Sequence, residues 1–404
     1  MIEAGSNSVL VLTFGPIESR SNGYFLRVSH LTSMLVRLGL RVHIIQFQIE
    51  LSPTEKSLPY SVERHLIPRV MMGDKWTKIT QRLTFDPLSI SLTLALVLWT
   101  TMRSIRKILR ADVVVVEGGL FLVPLLLSKL LRRVVVFDAS DINTLVAERV
   151  ESEEGSSAFL RKALWLFAEM MEFRLSDYST LVSETDLELA RHRFGAASER
   201  LLLIPNGVEP PSSPNATELA AFRAEYGISQ HEELVVFVGD FRTVTNRLAA
   251  KYLIQVLSPE LLPRPKTRIV LAGGGLAEDS VLPSNVRYLG QVEQLNCLLR
   301  LASICVAPLK VGSGTKLKIL TYLQAGKPIV TTPIGMEGLD FAGPSVIVAS
   351  LSDFHEKVLW ALDHTHELLD QSRTMAREVE LTSSWEFIES RFARPAFESI
   401  VTRL

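Results

Sequence analysis

Residues 306–332 read VAPLKVGSGTKLKILTYLQAGKPIVTT, with an apolar run, a glycine-bearing loop and a helical pattern in close succession. The apolar run is typical of a buried strand that ends at Pro308. A helix is predicted to begin near Thr315 or Lys316 and to end at Gly326, because glycine commonly terminates helices. Another apolar run follows the helix. This order predicts one repeat of a parallel α/β sheet.

The same rhythm extends along almost the whole chain. Continuously apolar runs, as expected for strands buried on both faces, occupy residues 9–14, 42–47, 113–117, 134–138, 180–183 and 201–204 of the first half. In the second half they occupy residues 234–239, 268–272, 286–289, 304–307, 328–332 and 346–348. Predicted helices in the first half cover 24–38, 120–131, 157–175 and 186–194, and the chain ends on an amphipathic helix over 385–404.

The rhythm breaks at residues 205–217, PNGVEPPSSPNAT, which have the composition of a linker. We therefore predict an α/β protein with two Rossmann-like, doubly wound parallel-sheet domains, residues 1–207 and 208–384. Ligands of such sheets bind beyond the carboxyl ends of the strands, so two domains that face each other predict a cleft between them.

Composition excludes some classes of protein. The 404 residues carry 43 Lys+Arg against 44 Asp+Glu, a balance that offers no general attraction for nucleic acid. Cys297 and Cys305 lie in apolar surroundings without metal-ligand spacing, which indicates buried thiols, with a single disulfide as the alternative. Residues 1–8 show no secretory signal, so we expect a cytoplasmic protein.

One apolar segment raises the question of a membrane. Residues 88–100, LSISLTLALVLWT, are followed by four basic residues, Arg103, Arg106, Lys107 and Arg110. A bilayer-spanning helix needs about 20 apolar residues, so this run is too short to cross. Either the helix is buried in the first domain, or the segment 88–110 rests peripherally on the anionic inner face of a membrane.

The loop Gly312-Ser313-Gly314-Thr315-Lys316 is the first candidate binding site. Glycines allow backbone amides to approach a ligand, and the free amides of a helix start favour anions. Lys316 and Lys318 oppose the helix dipole there unless an anion offsets their charge, which indicates a phosphate ligand. The alternative is a plain strand–loop–helix connection with surface lysines.

The segment resembles the donor site of family 4 glycosyltransferases of the GT-B fold, in the subgroup that reads Gly-x-Gly-Thr-(Arg/Lys)-x-Lys. Residues 325–330, AGKPIV, are similar to that family's Ala-Gly-x-Pro-Val-Val, and 204–208, IPNGV, to its interdomain Ile-Pro-Asn-Gly-Val. Residues 383–386, SSWE, resemble the start of its terminal helix. The resemblance runs from about Val9 to the C-terminus.

The resemblance implies a retaining glycosyltransferase that moves a sugar from a nucleotide-diphosphate donor to a glycan, lipid-linked or small-molecule acceptor. It implies no metal and no cofactor, and a final helix 385–404 that crosses back to the first domain. It also implies that an arginine and a lysine clamp the diphosphate. Lys318 stands at the lysine position, and Arg242 is the candidate arginine, with Arg247 as its rival.

In the first domain, the resemblance implies a glycine loop near donor and acceptor, with Arg20, Asn22 and Gly23 as candidates. Many relatives carry a His-Asp pair after a later strand; here Ser140 takes the histidine position and Asp141 is retained. Asp141 either orients or deprotonates an acceptor hydroxyl, or caps the helix from residue 142 onward.

The chain departs from the family at two glutamates that normally face the sugar and the ribose. Ser313 and Thr321 occupy those positions and supply no carboxylate. Glu337 either supplies an acid nearby or stabilises a helix N-terminus. These departures leave a non-catalytic relative that binds sugar nucleotide or a partner as the alternative function, with a sugar-nucleotide epimerase of the same architecture as a third.

Overall fold

The computed structural model describes residues 7–14, 23–48, 61–66, 87–118, 121–154, 159–210, 213–276 and 281–404. Contacts divide the chain into two compact units. The first unit comprises Met1–Asn206 together with Ile388–Leu404, and the second comprises Gly207–Phe387.

The first unit is built on a parallel sheet. Its described strands are β1 Ser8–Phe14, β2 Arg41–Gln48, β3 Ser61–Leu66, β4 Val113–Glu117, β5 Val134–Ala139, β6 Tyr178–Leu181 and β7 Leu201–Leu203. Its helices before the crossing are α1 Gly23–Arg37, α2 Pro87–Ile108, α3 Leu122–Leu130, α4 Asn143–Glu154, α5 Phe159–Leu175 and α6 Glu184–Phe194. The strands lie in the order β3-β2-β1-β4-β5-β6-β7, and every described pair is parallel.

The second unit repeats the pattern. Its strands are β8 Glu233–Val238, β9 Thr267–Ala272, β10 Val286–Tyr288, β11 Ile304–Ala307, β12 Ile329–Thr331 and β13 Val346–Val348. Its helices are α7 Ala216–Tyr226, α8 Val244–Tyr252, α9 Ser258–Leu261, α10 Leu295–Leu301, α11 Leu317–Gln324, α12 Pro333–Met336, α13 Phe354–Asp363, α14 Thr365–Ser383 and α15 Trp385–Ile388. The parallel order β10-β9-β8-β11-β12-β13 gives it the doubly wound topology of the first unit. The prediction of two Rossmann-like parallel sheets is confirmed.

Three elements of the first unit differ from the prediction. Strand β3 was not predicted, because its sequence SVERHL has only two apolar residues, Val62 and Leu66, and it lies at the edge of the sheet. Helix α4, with the sequence NTLVAERVESEE, was missed because its apolar face is weak. Strand β6 begins two residues before the predicted run 180–183, at Tyr178.

The predicted linker ends earlier than expected. Helix α7 begins at Ala216, and Asn215 caps it with a reciprocal pair of hydrogen bonds to Glu218. The sequence Asn215-Ala216-Thr217 is therefore the start of a helix rather than part of a linker.

The chain returns to the first unit through an interrupted helix rather than the single helix predicted over 385–404. Helix α15 is followed by a π-helical segment, Glu389–Ala393, and by α16, Arg394–Val401. The carboxylate of Glu389 accepts hydrogen bonds from the guanidinium of Arg37 at the end of α1. This contact ties the C-terminal segment to α1.

A backbone pairing joins residues 207–208 to residues 383–385, the two stretches near the boundaries between the units. The N–H of Val208 donates to the carbonyl of Ser383 at 2.7 Å, and the N–H of Trp385 donates to the carbonyl of Val208 at 3.2 Å. A Cβ on Gly207 would lie 2.7 Å from Cδ2 of the Trp385 ring. The two motifs Pro-Asn-Gly-Val and Ser-Ser-Trp, far apart in sequence, are thus halves of one contact.

A buried ion pair organises the carboxyl ends of β4 and β5. The guanidinium of Arg27 donates to both carboxylate oxygens of Asp138, at 2.7 and 2.9 Å, and to the carbonyl of Ile204 at 2.7 Å. Burial alone would raise the pKa of Asp138, but the charge and hydrogen bonds of Arg27 hold it below its usual range. Burial, and then the charge of Asp138, raise the pKa of Glu117 well above its usual range, which favours the neutral acid.

Replacing Gly207 by alanine is expected to destabilise the protein, because the new methyl group must displace the buried Trp385 ring. Overpacking of this kind costs about 1–3 kcal/mol of unfolding free energy. The measurement is the melting temperature by scanning calorimetry.

Gly274→Ala is the matched control, since a Cβ there meets nothing within 4 Å. Equal melting temperatures for Gly207→Ala and Gly274→Ala would contradict the contact between the two motifs.

Candidate functional site

The candidate site lies where the strand order of the second unit reverses. Strands β8 and β11 are neighbours, but β8 leads through α8 toward β9 on one side, whereas β11 leads through α11 toward β12 on the other. The space beyond their carboxyl ends is therefore left uncovered by the crossovers, which is the usual ligand position in such sheets. The loop 239–243 after β8 and the loop 308–316 after β11 both begin there.

Lys318, in the first turn of α11, extends into this position. Its ammonium lies 4.3 Å from the centroid of the Phe237 ring and donates a hydrogen bond to the amide oxygen of Asn246. Burial, and then the charge of Lys316, lower the pKa of Lys318 to about 7. Among the described residues no carboxylate forms an ion pair with it. A desolvated cation held by a neutral amide is prepared to receive an anion.

Asn246 is a site residue that the sequence reasoning missed. Its amide nitrogen donates to the carbonyl of Asp240 at 2.9 Å, while its amide oxygen accepts from Lys318. Thr243 caps α8 and places Asn246 in the first turn of that helix. A sequence signal was available, since Thr243 and Asn246 have N-cap spacing directly after a strand, but nothing in the sequence pairs Asn246 with Lys318.

Arg242 joins the same network from the loop after β8. Its guanidinium makes two hydrogen bonds of 2.8 Å to the carboxylate of Asp240, and its side chain is 68% exposed. Arg242, Asp240, Asn246 and Lys318 therefore form one chain of contacts, so the two predicted clamp residues are brought together. The rival Arg247 instead directs its guanidinium toward the carbonyl of Arg242, at 3.5 Å.

The glycine loop closes over its own lysine. Gly312 and Gly314 have φ angles of 148° and 62°, which favour glycine. The ammonium of Lys316 donates to the carbonyls of Ser313 and Gly314, both at 2.6 Å. Helix α11 begins at Leu317, so Lys316 is its N-cap residue and not part of its first turn as predicted. Of the two lysines, Lys318 is the one held by a side-chain amide.

A second glycine stretch packs against the first strand end. A Cβ on Gly273 would lie 1.9 Å from the carbonyl oxygen of Gly239, and the N–H of Phe241 donates to the carbonyl of Gly274 at 2.8 Å. The stretch 273–275 after β9 thus supports the loop that carries Arg242. It has a structural part in the site and is more than a bare turn.

The positions that normally carry glutamates are occupied differently. Ser313 is buried at 3% exposure, and the hydroxyl of Thr321 donates to the backbone carbonyl of Leu317 at 2.9 Å. Thr315 is half-buried beside them. Glu337 follows the C-terminal end of the short helix α12, so the reading in which it stabilises a helix N-terminus is wrong.

The predicted residues of the first unit lie at its own strand ends. Asp141 is exposed just beyond the carboxyl end of β5. The first amides of α4, at Asn143 and Thr144, donate to the carboxylate of Glu169 on α5, at 2.5 and 3.0 Å. Glu169 therefore already binds the first amides of α4. This argues against the alternative in which Asp141 only caps that helix.

Gly23 is the first residue of α1, beyond the carboxyl end of β1. The two other candidates of that loop, Arg20 and Asn22, lie outside the described residues. Ser140, which stands at the histidine position of the family resemblance, is half-buried next to Asp141.

The described residues lack a metal-binding cluster and a membrane-spanning helix. No group of three His, Cys, Asp or Glu side chains in them is arranged to hold a metal ion. Cys297 and Cys305 are free and buried as predicted, and burial raises the pKa of Cys305 to about 12. Across the described ranges, no helix combines the length and the apolar composition needed to cross a membrane.

Part of the second unit matches a known family model. Residues 232–364, which contain the whole network from Asp240 to Lys318, match the family model described as Glycosyl transferases group 1. A search of curated protein sequences finds no match to the chain. The resemblance drawn from the glycine loop is confirmed.

Solved glycosyltransferase structures share the fold. Sucrose-phosphate synthase from Thermosynechococcus elongatus gives a TM-score of 0.72 at 15% identity, covering 99% of this chain and 100% of that one. HepE of Anabaena in complex with UDP-glucose gives 0.67 at 13% identity, covering 96% and 99%. WaaG, a glycosyltransferase involved in lipopolysaccharide biosynthesis, gives 0.66 at 16% identity, covering 95% and 98%. The chain therefore has the GT-B fold.

Replacing Lys318 by methionine is expected to raise the melting temperature of the ligand-free protein, because a desolvated cation is removed and an apolar chain packs on Phe237. Between about pH 7 and pH 10.5 the unfolded protein keeps the Lys318 proton that the folded protein releases. Wild-type stability therefore rises with pH across this window, and the variant lacks that contribution. Calorimetry should show the largest gain near neutral pH and a smaller one toward pH 10.

Lys357→Met is the control, because Lys357 is exposed on α13. A gain for Lys318→Met that does not change with pH, or one that the control reproduces, would refute the desolvated ammonium.

Proposed function

We propose that this chain, whose residues 232–364 match the group 1 glycosyltransferases, moves a sugar from a nucleotide-diphosphate donor to a glycan or lipid-linked acceptor. The observation that carries the proposal is the ammonium of Lys318, held by Asn246 at the switch point of the second sheet. A buried cation without a described carboxylate partner suits a ligand that brings its own negative charge.

The diphosphate is the part of the donor that this site binds. When the sugar leaves, the bond from its anomeric carbon to the diphosphate breaks and negative charge develops on the phosphate oxygens. Lys318 and Arg242 stabilise that charge, the latter through a planar guanidinium that matches phosphate geometry. Arg242 exchanges Asp240 for the phosphate at small cost, because exposed ion pairs contribute little.

Lys318 takes up a proton as the donor binds near neutral pH. Its lowered pKa, about 7, belongs to the ligand-free protein, and phosphate charge beside the ammonium raises the pKa again. The first amides of α11 supply further donors for the same phosphate. Both effects favour the charged diphosphate over a neutral sugar.

UDP-sugars are the first donors to test. HepE, which shares this fold, is described in complex with UDP and with UDP-glucose. Ser313 and Thr321 offer hydroxyls where carboxylates are usual, so the sugar and the ribose are recognised with fewer charged hydrogen bonds. Glu337 is the acid we assign to the donor side.

We assign acceptor activation to Asp141 in the first unit. Its carboxylate is exposed beyond the end of β5, where it accepts a hydrogen bond from an acceptor hydroxyl and takes its proton. Gly23 begins α1 at the end of β1 and leaves room for a ligand near its backbone. Retention of the anomeric configuration is part of the proposal, carried by the resemblance.

The alternative function is a non-catalytic protein that binds a sugar nucleotide. One observation favours it: the Thr321 hydroxyl is hydrogen-bonded to its own helix backbone, at Leu317, where similar enzymes carry a glutamate. Such a protein keeps the diphosphate clamp and loses turnover. Binding and turnover must therefore be measured separately.

The double variant Arg242→Ala/Lys318→Ala is expected to lose donor affinity by at least about a hundredfold, because each removed group is a charge-assisted phosphate contact. Titration calorimetry with UDP-glucose measures binding, and release of UDP measures hydrolysis and transfer. A prior thermal-shift screen of UDP-, GDP- and ADP-sugars chooses the donor, since a ligand of the folded state raises its stability.

Lys357→Ala/Arg377→Ala removes two exposed cations of the same unit and is the matched control. Equal donor affinity in both double variants would refute the clamp. A wild type that binds donor but turns none over with water or any acceptor tried would establish the binding alternative.

Donor turnover is expected to survive dialysis against EDTA, because two side-chain cations supply the charge that Mg²⁺ supplies in other sites. The rate with EDTA should stay within about twofold of the rate with added Mg²⁺. A loss of turnover that Mg²⁺ restores would show that the proposal of metal independence is wrong.

A further inference from the structure

Three neighbouring helices of the first unit expose large apolar side chains. Helix α3 contacts both α2 and α5, so the three form a row. The exposed apolar residues of this row, which we call the three-helix surface, are Leu98, Met102, Ile105 and Leu109 on and just after α2, Leu126 and Leu130 on α3, and Leu164 and Phe167 on α5. Met102 is 67% exposed and Leu130 is 80% exposed. Contiguous apolar surface of this kind marks an interaction site.

Helix α2 has an unusual distribution of side chains. Thr100 and Ser104 face inward and are fully buried, and the hydroxyl of Ser104 donates to the carbonyl of Thr100 at 2.7 Å. The large apolar residues from Leu98 to Leu109 recur at the spacing of one helix face and are exposed. This inverts the order expected of a helix that only covers a core. The prediction of a helix simply buried in the first domain does not hold for residues 98–109, whereas the side chains of residues 87–97 lie outside those the structure describes.

Basic residues predominate on two of the three helices. Residues 87–110 contain four Lys or Arg and residues 121–137 contain three, and neither stretch contains Asp or Glu. Some of the lysines are paired: Lys107 with Glu63, Lys129 with Asp177, and Lys162 of α5 with Glu148 and Glu151. Arg103, Arg106 and Arg110 are exposed, and the guanidinium of Arg103 lies 5.7 Å from the centroid of the Trp99 ring. Basic side chains interleaved with exposed leucine and methionine are typical of helices that lie on anionic membranes.

We propose that the three-helix surface docks the protein onto an anionic lipid bilayer, with the apolar side chains in the interface and the arginines on the headgroups. Arg103, Arg106 and Arg110 of this region are exposed and form no ion pair among the described contacts, which favours an anionic lipid surface over a second copy of the chain, because two such basic helices would repel each other. This docking extends the expected contact through 88–110 to α3 and α5. The docking itself does not depend on the proposed function. One consequence of it does rest on that function: the sugar acceptor is then itself a membrane lipid or is linked to one.

Vesicle flotation tests the docking without donor or acceptor. The vesicles are phosphatidylcholine alone, or phosphatidylcholine with roughly 30% phosphatidylglycerol, at low and at high salt. Wild type should float with the anionic vesicles at low salt, less at high salt, and little with neutral ones. Met102→Glu/Ile105→Glu should lose binding. Arg106→Ala/Arg110→Ala should weaken it about fivefold for each residue removed.

Two controls make the result specific. Leu381→Glu changes a side chain that is 72% exposed on the other unit, and Arg373→Ala/Arg377→Ala removes two exposed arginines there. Both should bind vesicles as the wild type does. Circular dichroism and melting temperatures establish that each variant is folded.

Other outcomes would overturn the proposal. They are a wild type that stays with the soluble fraction at low salt, equal binding to neutral vesicles, variants that float like wild type, or a wild-type dimer that Met102→Glu/Ile105→Glu makes monomeric. Donor titration is run on the same samples. A wild type that binds donor but does not float contradicts the docking surface alone, and a wild type that floats but binds no donor contradicts the proposed function alone.

Discussion

The reversal of strand order between β8 and β11 is the constraint on which the candidate site depends. A parallel sheet needs crossovers, and where they diverge to opposite sides the carboxyl ends of two adjacent strands stay open. Every group of the proposed diphosphate clamp reaches the site from one of these two ends. Phe237 lies in β8, Arg242 and Asn246 follow it, and Lys318 follows β11. The sheet topology thus determines where these groups meet, and the individual residues act within that arrangement.

The two units share this topology but differ in how charge is paired at the carboxyl ends of their strands. At the corresponding edge of the first sheet, Arg27 is paired with Asp138 and fully buried, so that charge is satisfied within the unit. In the second unit the described contacts of the Lys318 ammonium are the neutral amide of Asn246 and the ring of Phe237. The charge at one edge is therefore paired within the unit, while at the other edge no described carboxylate pairs with the lysine, as the proposed anionic ligand would require.

Local patterns predicted much of this, and tertiary contacts account for what they missed. The strands of both sheets and the glycine loop follow from apolar runs and glycine positions, which act over a few residues. Asn246 was missed because its role depends on Lys318, which lies 72 positions away. Strand β3 was missed because an edge strand can form with few apolar residues, and this one has only two. The outward apolar face of α2 was not predictable, because composition does not show which side of a helix meets the sheet.

The buried trio of Arg27, Asp138 and Glu117 limits which substitutions related proteins can accept. Loss of Asp138 leaves the guanidinium of Arg27 underpaired in a dry place, and loss of Arg27 leaves Asp138 charged and alone. A single substitution at position 27 or 138 therefore gives a destabilised protein, whereas replacement of both residues by apolar ones does not. In a collection of related sequences, positions 27 and 138 should vary as a pair, so a lineage that has lost one should have lost the other.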